Sequence, residues 1–232
     1  MRPQFADLGD PARDGAPGIR PHPVDMTETA THERLFSTPL LRYRVPGYET
    51  LNGALLAEGA RMRAASPGVD KSNRNGWHSA GNIFAEEADC FAELKTTVRT
   101  AILDATRKIR AKTDPATLKL KISGWMNANP PGGFNAPHTH PGAHWSGVYY
   151  VAQPEVEVGN SGMIEFLDPR SDLPNWRILG AAPFRGKKKL RPQPGDLILF
   201  PSYLVHWVYP NEAAGERVSI AFNATFRPKR TG

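Results

Sequence analysis

The hydrophobic period of this chain changes at Asp114-Pro115, and that change constrains the fold more than any other feature. Upstream, Phe91, Leu94, Val98, Ile102, Ala105 and Ile109 recur in steps of three and four. This is the stripe of an amphipathic helix, with Asp89 placed as its N-cap and Asp114-Pro115 placed to end it. Downstream, Leu118, Leu120 and Ile122 alternate with Lys119, Lys121 and Ser123, the period of a half-buried strand. An earlier helix is predicted over 48–65, where Leu51, Leu55 and Met62 recur before Ser66-Pro67-Gly68. After Pro115 the remaining segments are short, rich in β-branched and aromatic residues, and separated by Pro, Gly and Asn. They lie near 134–140, 145–152, 162–167, 187–190, 196–200, 205–209 and 216–226, making about eight strands with the first.

Two helices followed by short antiparallel strands predict an α+β, mainly β domain. The expected fold is a double-stranded β-helix, a jelly-roll or cupin-like barrel, backed by N-terminal helices. The 22 prolines and 21 glycines among 232 residues follow no fixed period, which excludes collagen-like and repeat architectures. Residues 1–33 are polar and rich in Pro and Gly and read as an arm. Residues 34–232 read as a single domain, with 34–115 as helical support and 116–228 as the barrel. The stretch 66–88 is a long connection expected to be ordered against it.

No apolar run approaches the roughly 20 residues of a spanning helix, so no membrane is expected. Cys90 is the only cysteine and the N-terminal residues carry no apolar core of a signal peptide, so the expected location is cytoplasmic. The net charge is +6, but eight positive charges sit in two clusters, Arg185 to Arg191 and Arg227 to Arg230. Local clusters are not a basic face, and no nucleic-acid partner is expected. A homodimer is left open.

The histidines carry the chemistry. His138 and His140 are two residues apart, a spacing that in a strand aims both rings at one face. His206 lies in a strand-like segment followed by a turn into Arg217-Val218-Ser219-Ile220. A hairpin there would set His206 opposite Ser219 and Val208 opposite Arg217. Arg217, Ser219, Ala221 and Asn223 share one parity, whereas Val218, Ile220, Phe222 and Ala224 share the other, so one face is polar and one apolar. A polar face of Arg-Ser-Ala-Asn beside a histidine reads as a wet cavity in which an arginine could hold a carboxylate whose other end meets a metal. The bland reading, two solvated histidines in a Pro-flanked loop, suffices for His138 and His140 alone. His144 follows Pro141-Gly142, where the chain must turn, and is expected at the mouth.

Taken together, His138-Thr-His140, Ser146-Gly-Val-Tyr-Tyr150-Val, Gly162-Met-Ile-Glu-Phe166, Pro194-Gly-Asp-Leu-Ile-Leu-Phe200-Pro, His206 and Arg217-Val-Ser219 resemble the 2-oxoglutarate- and Fe(II)-dependent oxygenases. The likeness spans about Trp125 to Phe226. It is narrowest toward the prolyl-hydroxylase-like branch and a set of uncharacterised bacterial and phage members. The resemblance implies Fe(II) ligands at His138, His140 and His206, although the usual motif has a carboxylate where His140 stands. It implies 2-oxoglutarate as cosubstrate, paired with Arg217 beside Ser219 and Tyr150. Asn127 and Asn223 are further candidates to line the cosubstrate site. The implied activity is hydroxylation of a small-molecule or peptide substrate by O2, with release of succinate and CO2. Two alternatives stay open: a three-histidine, cupin-like dioxygenase that uses no keto acid, and a non-catalytic metal-binding barrel.

Overall fold

The computed structural model describes residues 36–229 apart from 157, 171–177 and 179. The expected arm over 1–33 lies outside the described residues, and the described residues from Thr38 onward form one compact unit.

Helix α1 spans Tyr48–Ala65 and buries Leu51, Asn52, Leu55 and Gly59. Helix α2 spans Asp89–Lys108 and buries Phe91, Leu94, Val98, Ile102 and Ala105, the predicted stripe up to its last member. Both ends differ from the expectation. Ala88 is the N-cap and Asp89 the first helical residue, where its carboxylate still suits the positive end of the helix dipole. At the other end the helix stops six residues before Asp114. Arg110 turns into the left-handed region at φ 57, Ile109 is 47% exposed, and Asp114 instead caps a short 3-10 turn over Pro115–Thr117.

All eight expected strands form. They are β4 (Lys119–Asn129), β5 (Phe134–His138), β6 (Trp145–Ala152), β7 (Ile164–Leu167), β8 (Lys187–Leu190), β9 (Asp196–Pro201), β10 (His206–Val208) and β11 (Arg217–Arg227). Three more were not anticipated: β1 (Leu41–Arg44), and β2 (Asn73–Arg74) and β3 (Trp77–His78) within the long connection. The strands make two antiparallel sheets, in the orders β1-β9-β6-β11-β4-β3 and β2-β5-β10-β7-β8. Facing each other, the sheets form the double-stranded β-helix.

The predicted hairpin between β10 and β11 does not form. β10 pairs with β5 and β7 in the smaller sheet, and β11 with β4 and β6 in the larger. The two strands meet across the barrel rather than side by side, so the shared cavity survives although the register argument for it does not.

Strand parity divides the larger sheet. Val218, Ile220, Phe222 and Ala224 of β11 join Tyr149, Leu197 and Leu199 and the helix residues Leu55, Phe91 and Leu94 in one core. Val148, Tyr150, Ile198 and Phe200 face the other way and join Ile164, Phe166 and Val208 of the smaller sheet. Gly147 permits the tight crossing between them. A Cβ there would lie 2.4 Å from the Phe222 ring and 2.7 Å from the Ile198 carbonyl oxygen.

Candidate metal centre

His138 ends β5 and is the direct cross-strand partner of His206 on β10. His140 lies just beyond the strand end rather than within it, held by its backbone N–H on the Ser202 carbonyl at 3.0 Å. The chain is extended enough for the two-residue spacing to act as expected. A ring nitrogen from each of the three histidines lies within 4.8 Å of the others.

Neighbouring carbonyls fix the tautomers. His138 Nδ1 contacts the Ala136 oxygen at 2.7 Å and His206 Nδ1 the Leu204 oxygen at 2.9 Å. A carbonyl only accepts, so both Nδ1 atoms carry the proton and both Nε2 atoms keep a lone pair. This is the usual support for a metal-bound imidazole. Burial, with the neighbouring His138, pushes His206 down to about 3 and His140 down to about 4, and burial also lowers His138. The rings are neutral at pH 7, the form that binds metal. Phe200 holds His206 edge-on at 4.6 Å.

The opposite wall belongs to the larger sheet. In register, Ser219 of β11 lies between Asn127 of β4 and Tyr150 of β6, with Arg217 beside Asn129. Arg217 is 2% exposed, its guanidinium stands 5.2 Å from the Tyr150 ring centre, and Nη1 donates to Asn129 Oδ1 at 3.3 Å. Several buried polar atoms here have no hydrogen-bond partner among the described residues: Arg217 Nε, Tyr150 Oη, Asn127 Oδ1 and Asn129 Nδ2. Burial raises the Tyr150 hydroxyl, which therefore stays a donor. Orphaned buried groups are rare in native structures. The two donors whose residues line the cavity, Arg217 Nε and the Tyr150 hydroxyl, fit a bound carboxylate.

His138, His140, His206, Arg217, Ser219, Tyr150 and Asn127 all line this cavity. Asn223 is not among its lining residues, and its Oδ1 accepts from Ser146 Oγ at 2.7 Å. His144 is not at the mouth either. It packs on Phe226 at 5.9 Å, and its Nδ1 accepts the Phe226 backbone N–H. Sequence reasoning missed Ser72 and Asn135, which also line the cavity. Ser72 stands 3.5 Å from His138 Nε2. Nothing local marks either residue, because β2 and β5 bring them in from a distance.

Residues 123–223, from β4 into β11, match the model of a family described as "Putative 2OG-Fe(II) oxygenase". The matched segment is somewhat under half of the chain. It holds all three histidines and Arg217. No curated protein matches the chain.

Among solved structures, a prolyl-4-hydroxylase from Pseudomonas putida is similar in fold at 18% identity, with 84% of this chain and 95% of that one covered and a TM-score of 0.59. A prolyl hydroxylase from Trichoplax adhaerens, solved with a hypoxia inducible factor peptide fragment, is similar over 80% of this chain and 83% of its own, with 11% identity and a TM-score of 0.57. HygX from Streptomyces hygroscopicus, with nickel, 2-oxoglutarate and hygromycin B bound, gives 14% identity, coverage of 83% and 84%, and a TM-score of 0.54.

Proposed function

We propose that this protein is a 2-oxoglutarate-dependent oxygenase that binds Fe(II) through His138, His140 and His206, binds 2-oxoglutarate against Arg217, and hydroxylates a C–H bond of a small-molecule or peptide substrate. The observation that carries the reading is the pairing of two walls. Three neutral imidazoles face, across one cavity, a buried guanidinium with an unused N–H and an unpartnered tyrosine hydroxyl.

Each side has its own task. The ring Nε2 atoms of His138 and His206 point away from the carbonyls that hold their Nδ1 protons and are free to donate lone pairs. Imidazole suits iron, zinc, copper and nickel. Arg217, with the Tyr150 hydroxyl and Ser219 beside it, takes the remote carboxylate of the cosubstrate, and that charge-assisted contact sets its orientation. Asn127 stands on the Arg217 wall beside Ser219, where its free oxygen accepts from a substrate or water. Val148, Ile164 and Phe200 add apolar surface to the same cavity. Fe(II), when bound, supplies the activation of O2 coupled to oxidation of the keto acid to succinate and CO2.

The third imidazole also favours a second reading, a dioxygenase that oxidises its substrate without a keto acid. One experiment separates them. Protein loaded anaerobically with Fe(II) is titrated with 2-oxoglutarate in a calorimeter and then exposed to O2 while succinate is measured. Stoichiometric binding and slow succinate release support the first reading. Bound iron without keto-acid binding supports the second.

A further inference from the structure

The positive charge this site gathers is not matched by acid in its walls. Among the described residues, neither the cavity nor the open depression beside it is lined by Asp or Glu. Three neutral imidazoles leave a divalent ion with both of its charges, where a carboxylate ligand would remove one. Arg217 adds a third positive charge. The cosubstrate dianion offsets two of the three, so a single positive charge stays in a buried pocket, where Coulomb interactions are several times stronger than in water.

The depression continues this pattern outward. It encloses about 500 Å³ and reaches His138 and His140 on its inner side and Lys71 on its outer side. Lys71 is exposed and forms no ion pair among the described residues, and its neighbour in sequence, Asp70, does not line the depression. The wall between is flat. His78 and Trp125 stack with ring centres 5.7 Å apart and planes 12° from parallel, and Trp125 lies 5.6 Å from His140. His78 Nδ1 donates to the Ser79 carbonyl at 2.8 Å, which leaves its Nε2 as an acceptor.

We propose that the substrate is a small organic acid, with a flat or cyclic body against Trp125 and His78 and one carboxylate drawn to Lys71 and to the charge left uncompensated at the metal. The proposal rests on the oxygenase reading above. The residues that select the acid are then His140, by not being a carboxylate, and Lys71.

The test uses full-length protein loaded anaerobically with Fe(II) and 2-oxoglutarate. Calorimetry compares matched acid and amide probes: phenylacetate with phenylacetamide, indole-3-acetate with indole-3-acetamide, and cyclohexanecarboxylate with its amide. At least one acid should bind about tenfold more tightly than its amide, with the preference shrinking as salt is raised. Lys71→Gln should reduce that preference about threefold, as expected of one partly exposed charge. His140→Asp, with its iron content and 2-oxoglutarate binding checked first, should reduce it further. Equal binding of acid and amide in every pair, including the case in which no probe binds, overturns the proposal. So does a preference unchanged in both variants. If 2-oxoglutarate itself does not bind the iron-loaded protein, the oxygenase reading has failed instead.

Discussion

Arg217 is a large, charged and almost wholly buried side chain with no carboxylate paired to it among the described residues. Burying a charge without a counter-ion is costly, and the cosubstrate carboxylate would relieve that cost. Arg217→Ala should therefore weaken 2-oxoglutarate binding by about a hundredfold, in the range of a lost charge-assisted contact, while iron content is unchanged. Calorimetry and metal analysis of the same sample check both halves.

At the metal, His140→Ala should abolish tight Fe(II) binding and His144→Ala should leave it intact, because His144 is occupied with Phe226. His140→Asp should retain iron in a two-histidine, one-carboxylate arrangement. Iron stoichiometry decides, and loss in His144→Ala with retention in His140→Ala would overturn the assignment. The same histidines make stability depend on pH. In the unfolded chain they titrate near roughly 6.5, but the folded values lie lower, at about 4 for His140 and about 3 for His206. Below about pH 6.5 the unfolded state takes up protons that the folded state refuses, so stability falls with pH until the folded rings titrate too. The melting temperature of metal-free protein should drop between about pH 7 and pH 4.5, and less steeply in His206→Asn.

The elements show where local sequence suffices. Both helices and the eight strands after Pro115 were readable because each depends on a periodicity carried within its own residues. Parity alone placed Arg217 and Ser219 on a polar face and Val218 and Ile220 on an apolar one. Pairing was not readable, because nothing in His206 or Ser219 states which strand each will meet, and the expected hairpin gave way to long-range partners in different sheets. β2 and β3, at two residues each, carry no period at all, so Ser72 and the stacking of His78 on Trp125 emerged only from the fold. A similar long-range contact anchors β10. Glu165 of β7 is buried and accepts from Tyr209 Oη at 2.9 Å and Trp207 Nε1 at 3.3 Å, with Lys187 and Lys189 each 3.8 Å away. Glu165→Ala should cost about 1–3 kcal/mol by leaving those donors unpaired. Denaturant unfolding measures the loss, and weaker iron binding should accompany it because β10 carries His206.

At the scale of the whole molecule, the helices and the Arg217 wall of the site share the larger sheet. Removing residues before Thr27 should leave solubility and iron content unchanged, because the arm has no periodic apolar residues to contribute to a core. An insoluble or iron-free truncation would move the domain boundary. The alternation along β4, β6 and β11 has a consequence for how such a protein can diversify. Residues that face the helices and residues that face the cavity interleave on the same three strands, so each set can vary while the other is kept. Trp125, Val148 and Ala221 all line the cavity, and none belongs to the helix-side core. A library at those three positions would reshape the space around the reacting carbon while the helix-side packing stays in place. A new substrate range would then require neither a new fold nor a compensating change in its core.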